Sequence, residues 1–313
     1  MSLEVKDLVK SYGEKIVVDH LSFELKEPGV YALLGTNGAG KTTSIRMILG
    51  MLAKDSGEVL WNGKPMEAMN MNIGYLAEER GLYPKYSLMD QLLYFAKLKG
   101  VDKATAKERI KYWAERFSVE EYLYPPQVKG KKKEKPKTAD QLSKGNQQKI
   151  QMMAALISEP QLLILDEPLS GLDPVNAELF KSIIREEIAK GKYLIMSSHQ
   201  MATIEEFCKD ITILNRGKVV LQGDLNKIKK GYGRVNLFVK CDEAFDELIE
   251  KHNLPIVTDT PDGKQLRVSS EEQAKKFLED LLTADKKVVR FELREPSLNE
   301  IFIEKAGTQN EEE

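Results

Sequence analysis

Three glycines, a lysine and a threonine near the N-terminus have a spacing that can bind phosphate. Residues 35–42 read Gly-Thr-Asn-Gly-Ala-Gly-Lys-Thr, which fits the pattern G-x-x-x-x-G-K-S/T. Such glycines let backbone N–H groups turn inward around an anion, and a following helix adds its positive dipole end. Lys41 can then reach the terminal phosphates, and the Thr42 hydroxyl can bind Mg²⁺. We predict a nucleotide-phosphate site formed by Gly35, Asn37, Gly38, Ala39, Gly40, Lys41, Thr42 and Thr43.

Two adjacent carboxylates end an apolar run farther along the chain. Residues 162–167 read Leu-Leu-Ile-Leu-Asp-Glu, and open α/β sheets bind their ligands at the carboxyl ends of such strands. Asp166 is suited to hold Mg²⁺ through water, and Glu167 can accept the proton of an attacking water. The alternative is a strand that simply ends in polar residues. Because a phosphate-binding loop stands in the same chain, we predict a metal ligand and a catalytic base.

The sequence pattern around these residues predicts the α/β sheet that must position them. Continuous apolar runs at 30–34, 162–165 and 193–197 are typical of strands buried on both faces. Helix-like segments at about 42–52 and 176–190 follow two of these strands. Strand, helix and strand in this order predict a parallel, doubly wound sheet.

The rest of the chain predicts three further parts. Alternating stretches between 3 and 23 predict antiparallel strands, and a Leu-, Ala-, Lys- and Glu-rich region over about 87–158 predicts a helical subdomain. After residue 223 the order β-α-β-β-α-β, with an Asp-Gly turn, predicts a small α+β ferredoxin-like domain. We therefore place the domains at 1–223 and 224–306, followed by a disordered tail at 307–313.

Composition excludes several classes of protein. The 313 residues carry 47 Lys and Arg against 49 Asp and Glu, a net charge of −2, which argues against a protein that binds nucleic acid through a basic surface. No apolar run approaches the roughly 18 residues that cross a bilayer. The charged N-terminus does not fit a secretion signal. The two cysteines, Cys208 and Cys241, favour a reducing cytosol over a disulfide framework.

Together these motifs resemble the ATP-binding subunit of an ATP-binding-cassette (ABC) transporter. The resemblance runs over about 3–223, and its signature sequence, usually LSGGQ, is here Leu-Ser-Lys-Gly-Asn at 142–146. The family implies two such domains packed head to tail, each nucleotide lying between one phosphate loop and the partner's signature. Ser143, as the N-cap of the next helix, and Gly145 would then act on the partner's nucleotide.

Other matched positions carry roles that only the resemblance implies. Asp173 matches the loop that joins the two subunits, and His199 matches the switch histidine that contacts the γ-phosphate. Tyr12 matches the aromatic ring that stacks on adenine. The alternatives are a structural histidine and an ordinary tyrosine at a strand end.

Three positions depart from the family pattern. Lys144 and Asn146 replace Gly and Gln of the signature, and Lys144 keeps its backbone N–H while adding a cation. Glu78 stands where the family has Gln, and we expect it to serve as a further Mg²⁺ ligand. Residues 79–84 would border the groove in which a membrane subunit docks. The Lys-rich stretch 129–137 is either a solvated loop or a contact with anionic lipid headgroups.

The resemblance implies an ATPase that binds Mg·ATP at a dimer interface and powers a membrane transporter made with separate permease subunits. A cassette followed by a small domain resembles the exporters related to antibiotic and sodium extrusion ATPases. We expect a homodimer, or a heterodimer with a related ATP-binding subunit, in the cytoplasm on the inner face of the cell membrane. The alternatives are a soluble ABC ATPase acting on ribosomes or DNA, and a GTPase, for which the Asn-Lys-x-Asp motif is missing.

Overall fold

The computed structural model describes residues 2–67, 71–79, 81–125 and 135–310, with only the backbone over 306–310. The chain divides into two compact units, Met1–Gln222 and Gly223–Glu313. Most of the predicted Lys-rich stretch, residues 129–134, lies outside the described residues. Among the helices that are described, none is long and apolar enough to cross a membrane.

The first unit begins with three strands and then combines helices with further strands. Its strands are β1 (Leu3–Tyr12), β2 (Lys15–Leu25), β3 (Gly29–Leu34), β4 (Ser56–Trp61), β5 (Lys64–Pro65), β6 (Ile73–Leu76), β7 (Leu162–Asp166), β8 (Tyr193–Ser198), β9 (Asp210–Asn215) and β10 (Lys218–Asp224). Its helices are α1 (Lys41–Ile48), α2 (Leu88–Leu98), α3 (Lys103–Phe117), α4 (Glu120–Leu123), α5 (Lys144–Leu156), α6 (Pro174–Ala189) and α7 (Met201–Ile204).

A six-stranded sheet in the order β10-β9-β3-β8-β7-β6 forms the centre of this unit. Its strands β9, β3, β8, β7 and β6 pair in parallel. Every residue of β7 and β8 is buried, which is why both read as unbroken apolar runs. The register pairs Leu34 with Ser198 and Asp166 with Ser197. The segments that follow β3, β7 and β8 therefore meet at one edge of the sheet.

A second sheet, in the antiparallel order β2-β1-β4-β5, shares an apolar core with α1 and the central sheet. The region between β6 and β7 is mainly helical, with α2 packed against α3, α4 and α5. The predicted α/β cassette, with its mixed sheet core, antiparallel sheet and helical subdomain, is thus confirmed.

The helices that carry site residues begin and end at local signals. Ser143 caps α5 by accepting a bond from the Asn146 amide, and Asp173 caps α6, which has Pro174 in its first turn. Helix α1 ends at Ile48, short of the predicted residue 52. The cause is Gly50, whose φ of 66° stops the helix.

The second unit carries α8 (Leu225–Tyr232) and a four-stranded antiparallel sheet. Its strands β11 (Asn236–Cys241), β12 (Ile256–Thr260), β13 (Gly263–Arg267) and β14 (Val288–Arg294) stand in the order β12-β13-β11-β14. Helices α9 (Asp246–Lys251) and α10 (Glu271–Thr283) share its core. This is the predicted ferredoxin-like arrangement. Helix α11 (Leu298–Asn310) reaches into the predicted tail, of which 311–313 lie outside the described residues.

Candidate nucleotide site

The glycine loop between β3 and α1 is pressed against its neighbours. Gly35 has a φ of 150° and Gly40 a φ of 105°, both in the region that favours glycine. A Cβ atom would lie 2.3 Å from the Leu214 carbonyl oxygen at Gly35, and 2.5 Å from that of Val17 at Gly40. Both contacts are too short for any side chain. The loop therefore needs glycine at its two ends, where it leads into the N-terminus of α1.

The Lys41 side chain folds back along this loop. Its ammonium donates hydrogen bonds to the carbonyls of Gly35 at 2.8 Å and Thr36 at 3.2 Å. It also lies 3.3 Å from Glu167 Oε1, and only 6% of the side chain is exposed. The buried ammonium of Lys41 therefore lies between the phosphate-binding loop and Glu167, the acid that follows β7.

Asp166, the last residue of β7, is fully buried. Its Oδ1 accepts a hydrogen bond from Ser197 Oγ at 2.5 Å, whereas Oδ2 has no hydrogen-bond partner among the described residues. Burial raises the pKa of Asp166, and the hydroxyls of Ser197 and Thr42 oppose that rise. A buried oxygen without a partner beside a hydroxyl offers the hard oxygen ligands that Mg²⁺ prefers. The residues present thus fit a magnesium ion.

Glu167 turns out of β7 with a φ of 51°, a strained value for a residue other than glycine. Its amide donates a hydrogen bond to Ser197 Oγ at 3.0 Å. Its Oε2 lies 2.9 Å from His199 Nδ1. Its Oε1 forms an ion pair with Lys41 and has no hydrogen-bond partner among the described residues. The carboxylate therefore lies between the lysine of the phosphate loop and the histidine that follows β8.

A cavity of 650 Å³ lies between helix α5 and these acids. The residues that line it are Glu78, Glu79, Lys144, Gln147, Gln148, Gln151, Glu167 and Ser170. Glu78 is exposed and shares this cavity with Glu167. Ser143, Gly145 and Asp173 are not among the lining residues. The structure thus brings Lys41, Asp166, Glu167 and His199 together and leaves the signature residues at the N-terminus of α5.

Three other predicted residues lie at exposed positions. Tyr12 ends β1 with 55% of its surface exposed, and the Lys10 ammonium is 5.5 Å from its ring centroid. Asp173 is exposed, and its pKa is lowered chiefly by the hydrogen bond from the Asn176 amide. Ser143 is exposed at the start of α5, and its hydroxyl accepts only a long 3.4 Å bond from the Asn146 amide. Their roles towards a nucleotide stay predictions.

Two buried residues of the site were not predicted. Ser197 contacts both acids, and Gln148 Nε2 donates to the Pro168 carbonyl at 2.7 Å and to the Glu167 carbonyl at 3.4 Å. The signal for Ser197 is a hydroxyl at the end of an apolar strand, but its meaning depends on the pairing of β8 with β7. Gln148 belongs to a run of polar residues that reads as an ordinary helix surface.

Comparison with known proteins finds family models that match parts of both units. Residues 18–170 match the model of the ABC transporter family. Residues 223–306 match the C-terminal domain of DrrA1-3-like ATP-binding proteins. An ABC transporter ATP-binding protein of Bacillus subtilis, YhaQ, is 41% identical over 97% of this chain and 98% of its own length. The Nod factor export ATP-binding protein I of Paraburkholderia xenovorans is 31% identical over 71% of this chain and 70% of its own length.

Solved structures show the same fold. An ATP-binding subunit of an ABC transporter matches 74% of this chain and 94% of its own, with a TM-score of 0.65 and 30% identity. The protein cbiO1 of Clostridium perfringens, part of the complex cbiONQ, matches 72% of this chain and 89% of its own. Its TM-score is 0.58 and its identity 24%, so that likeness concerns the fold alone.

Proposed function

The chain belongs to the ATP-binding subunits of ABC transporters, which hydrolyse ATP to power transport, and from this we propose that it drives an exporter whose permease subunits are separate chains. The observation that carries the ATP-hydrolysing part of this proposal is the group Lys41, Glu167 and His199 beside the glycine loop. Export is supported by similarity to a Nod factor export protein. The relatives named above are an ABC transporter ATP-binding protein and a Nod factor export ATP-binding protein, and neither favours a role on ribosomes or DNA.

We propose that Thr42 and Asp166 hold the magnesium ion of Mg·ATP. The ion would supply positive charge against the phosphate oxygens. Asp166 Oδ2 is the oxygen free to take part, because Oδ1 is bonded to Ser197. Lys41 would give up its carbonyl partners in the loop for phosphate oxygens, which accept its hydrogen bonds more strongly because they are charged.

Glu167 is proposed as the base that takes a proton from water. Its Oε2 is engaged by His199, whereas Oε1 has lone pairs free of hydrogen bonds in the described structure. Oε1 is therefore the atom that we expect to receive the proton. His199, 37% exposed, can hold the carboxylate through Nδ1 and present its other ring nitrogen to a phosphate.

We expect Glu78→Gln to keep at least half of the wild-type ATPase activity and ATP affinity. Glu78 is exposed at the cavity, and a neutral amide carbonyl can still serve as an oxygen ligand. Steady-state phosphate release and equilibrium binding of ATP measure both quantities, with Glu79→Gln, another acid of the cavity, as the matched control. Loss of ATP binding in Glu78→Gln alone would count against this placement.

We further propose that exposed tyrosines before and on α2 contact the permease. Tyr83, Tyr86 and Tyr94 are 52%, 65% and 49% exposed, and the rings of Tyr83 and Tyr86 lie 5.8 Å apart. Buried Gln91 fixes their loop: its Oε1 accepts from the Tyr83 amide, and its Nε2 donates to the carbonyls of Tyr83 and Tyr86. Ordered aromatic rings at a surface are typical of a binding site.

This aromatic surface adjoins the nucleotide site through one short segment. A Cβ atom at Gly81 would lie 3.7 Å from the Gln151 side chain, which lines the 650 Å³ cavity together with Glu167. A change in the cavity upon ATP binding can therefore reach the tyrosines through packed atoms. This supports the predicted docking groove at 79–84.

Tyr86→Asp tests the permease contact in the native cells. We expect the fraction of the full-length chain recovered with membranes to fall about tenfold, the size of effect that a buried aromatic contact produces. ATPase activity of the purified chain should stay unchanged, because Tyr86 lies outside the nucleotide site. Tyr124→Asp, at a tyrosine that is 43% exposed, is the control and should stay with membranes. Equal loss in both variants, or in neither, would contradict the assignment.

A further inference from the structure

We propose that Ser197 is a positioning residue that sets the geometry of both site acids. This proposal rests on the proposed Mg·ATP site. The Ser197 hydroxyl determines which oxygen of Asp166 is left for the metal, and it also anchors the backbone of Glu167. Ser197 is fully buried near the end of β8 and lies opposite Asp166 in the parallel register. Its Oγ is 2.5 Å from Asp166 Oδ1 and 3.0 Å from the Glu167 amide nitrogen.

The direction of these two hydrogen bonds follows from the chemistry of the donors. An amide N–H can only donate, so Ser197 Oγ accepts from Glu167. The single hydroxyl proton is then free to point to Asp166 Oδ1, which as a carboxylate oxygen accepts it. The chain from amide to hydroxyl to carboxyl oxygen thus has one polarity.

The hydrogen bond from Ser197 fixes the rotation of the Asp166 carboxylate about its side-chain bond. With Oδ1 held, the other oxygen, Oδ2, is the one without a hydrogen-bond partner in the described residues. Without the Ser197 hydroxyl, Oδ1 of this fully buried carboxylate would lose the donor that holds it, and the group could turn about its side-chain bond. The orientation of a metal ligand would then be lost.

For Glu167, the bond holds a strained turn in place. The residue has a φ of 51°, and its amide donates a hydrogen bond to the side chain of Ser197. On the other side of the turn, Gln148 donates to the carbonyls of Glu167 and Pro168. Two side chains therefore fix the backbone from which the base projects, and Ser197 is the one that also contacts the metal ligand.

Ser198 offers a matched control on the same strand. Its side chain lies on the opposite face of β8, and its hydroxyl accepts a hydrogen bond from the Gln200 amide at 2.9 Å. Among the described residues, its hydroxyl is hydrogen-bonded to neither Asp166 nor Glu167. Removing its hydroxyl is the same chemical change one residue away.

The test compares Ser197→Ala, Ser197→Thr and Ser198→Ala in the full chain. The first readout is binding of a fluorescent ATP analogue as Mg²⁺ is titrated, and the second is the pair kcat and KM. For Ser197→Ala we expect the Mg²⁺ concentration at half-saturation to rise, and kcat to fall, each by about tenfold to thirtyfold. Nucleotide affinity without Mg²⁺ should stay within about twofold, because Lys41 and the glycine loop are untouched.

Ser197→Thr keeps the hydroxyl and should restore both quantities to within about threefold of wild type. Ser198→Ala should behave as wild type. If Ser197→Ala shows a wild-type Mg²⁺ requirement, or folded Ser197→Thr is as impaired as Ser197→Ala, the inference is wrong. A wild-type chain that binds no Mg·ATP would instead overturn the proposed function itself, so the two failures are distinguishable.

Discussion

Glu167→Gln is expected to bind ATP and to hydrolyse it about a thousandfold more slowly than wild type, within the range that loss of a general base produces. Glutamine has the shape of glutamate, so it can still occupy the buried position beside His199. It cannot take a proton at Oε1, and it removes the negative charge 3.3 Å from the Lys41 ammonium. Lys41 is then freer to bind phosphate, so ATP binding should be retained or strengthened.

Because ATP stays intact in this variant, the state that ATP favours should accumulate. A ligand shifts a conformational equilibrium by its differential affinity for the two states, and hydrolysis normally ends that bias. We expect a stable dimer in size-exclusion chromatography with Mg·ATP, and little dimer with Mg·ADP. Phosphate release under single-turnover conditions measures the chemical step, with Glu78→Gln as the matched Glu-to-Gln control. Normal turnover in Glu167→Gln would refute the proposed base.

The parts of this site that could be predicted are those whose residues are contiguous. The glycine loop and the pair Asp166 and Glu167 each lie within one short segment, and the chemistry of each segment depends on its own spacing. Ser197 could not be found in that way. Its role arises because β8 pairs in register with β7, and a shift of one residue would place Ser198 beside Asp166 instead.

The fold was predictable to a similar degree and for a similar reason. Unbroken apolar runs identified β3, β7 and β8, and the Asp-Gly turn identified the hairpin of β12 and β13. Where the structure differs, the cause is local. A left-handed Gly50 ends α1 early, while α11 continues through Gly307 because one glycine within a helix costs only about 1 kcal/mol.

The cavity beside Glu167 depends on contacts that no local pattern contains. Its wall combines acids that follow β6 with polar side chains of α5, which are far apart in the sequence. The role of the signature residues at the start of α5 also depends on groups outside their own segment, in this case groups of a second chain. In the head-to-tail dimer that the family resemblance implies, Ser143 and Gly145 would act on the nucleotide of the partner, so their role has to be tested between chains.

Gly145→Asp is expected to abolish ATPase activity, with a loss of about 100-fold or more from like-charge repulsion and the loss of anion stabilisation at the helix N-terminus. Gly145 lies in the first turn of α5, and a Cβ atom there would meet only Leu172 Cδ2, at 3.6 Å. The substitution should therefore leave the fold intact. Since the glycine loop is unchanged, each chain should still bind ATP with wild-type affinity.

Mixing this variant with Lys41→Ala tests whether Gly145 of one chain and Lys41 of the other belong to the same nucleotide site. In a head-to-tail dimer, a Gly145→Asp chain contributes a sound glycine loop, and a Lys41→Ala chain contributes a sound signature. Their mixed dimer has one complete site, so an equal mixture with random pairing should recover about a quarter of wild-type homodimer activity, although each variant alone is inactive. If both chains fold and the first binds ATP, an inactive mixture would mean that Gly145 does not complete the partner's site in a homodimer.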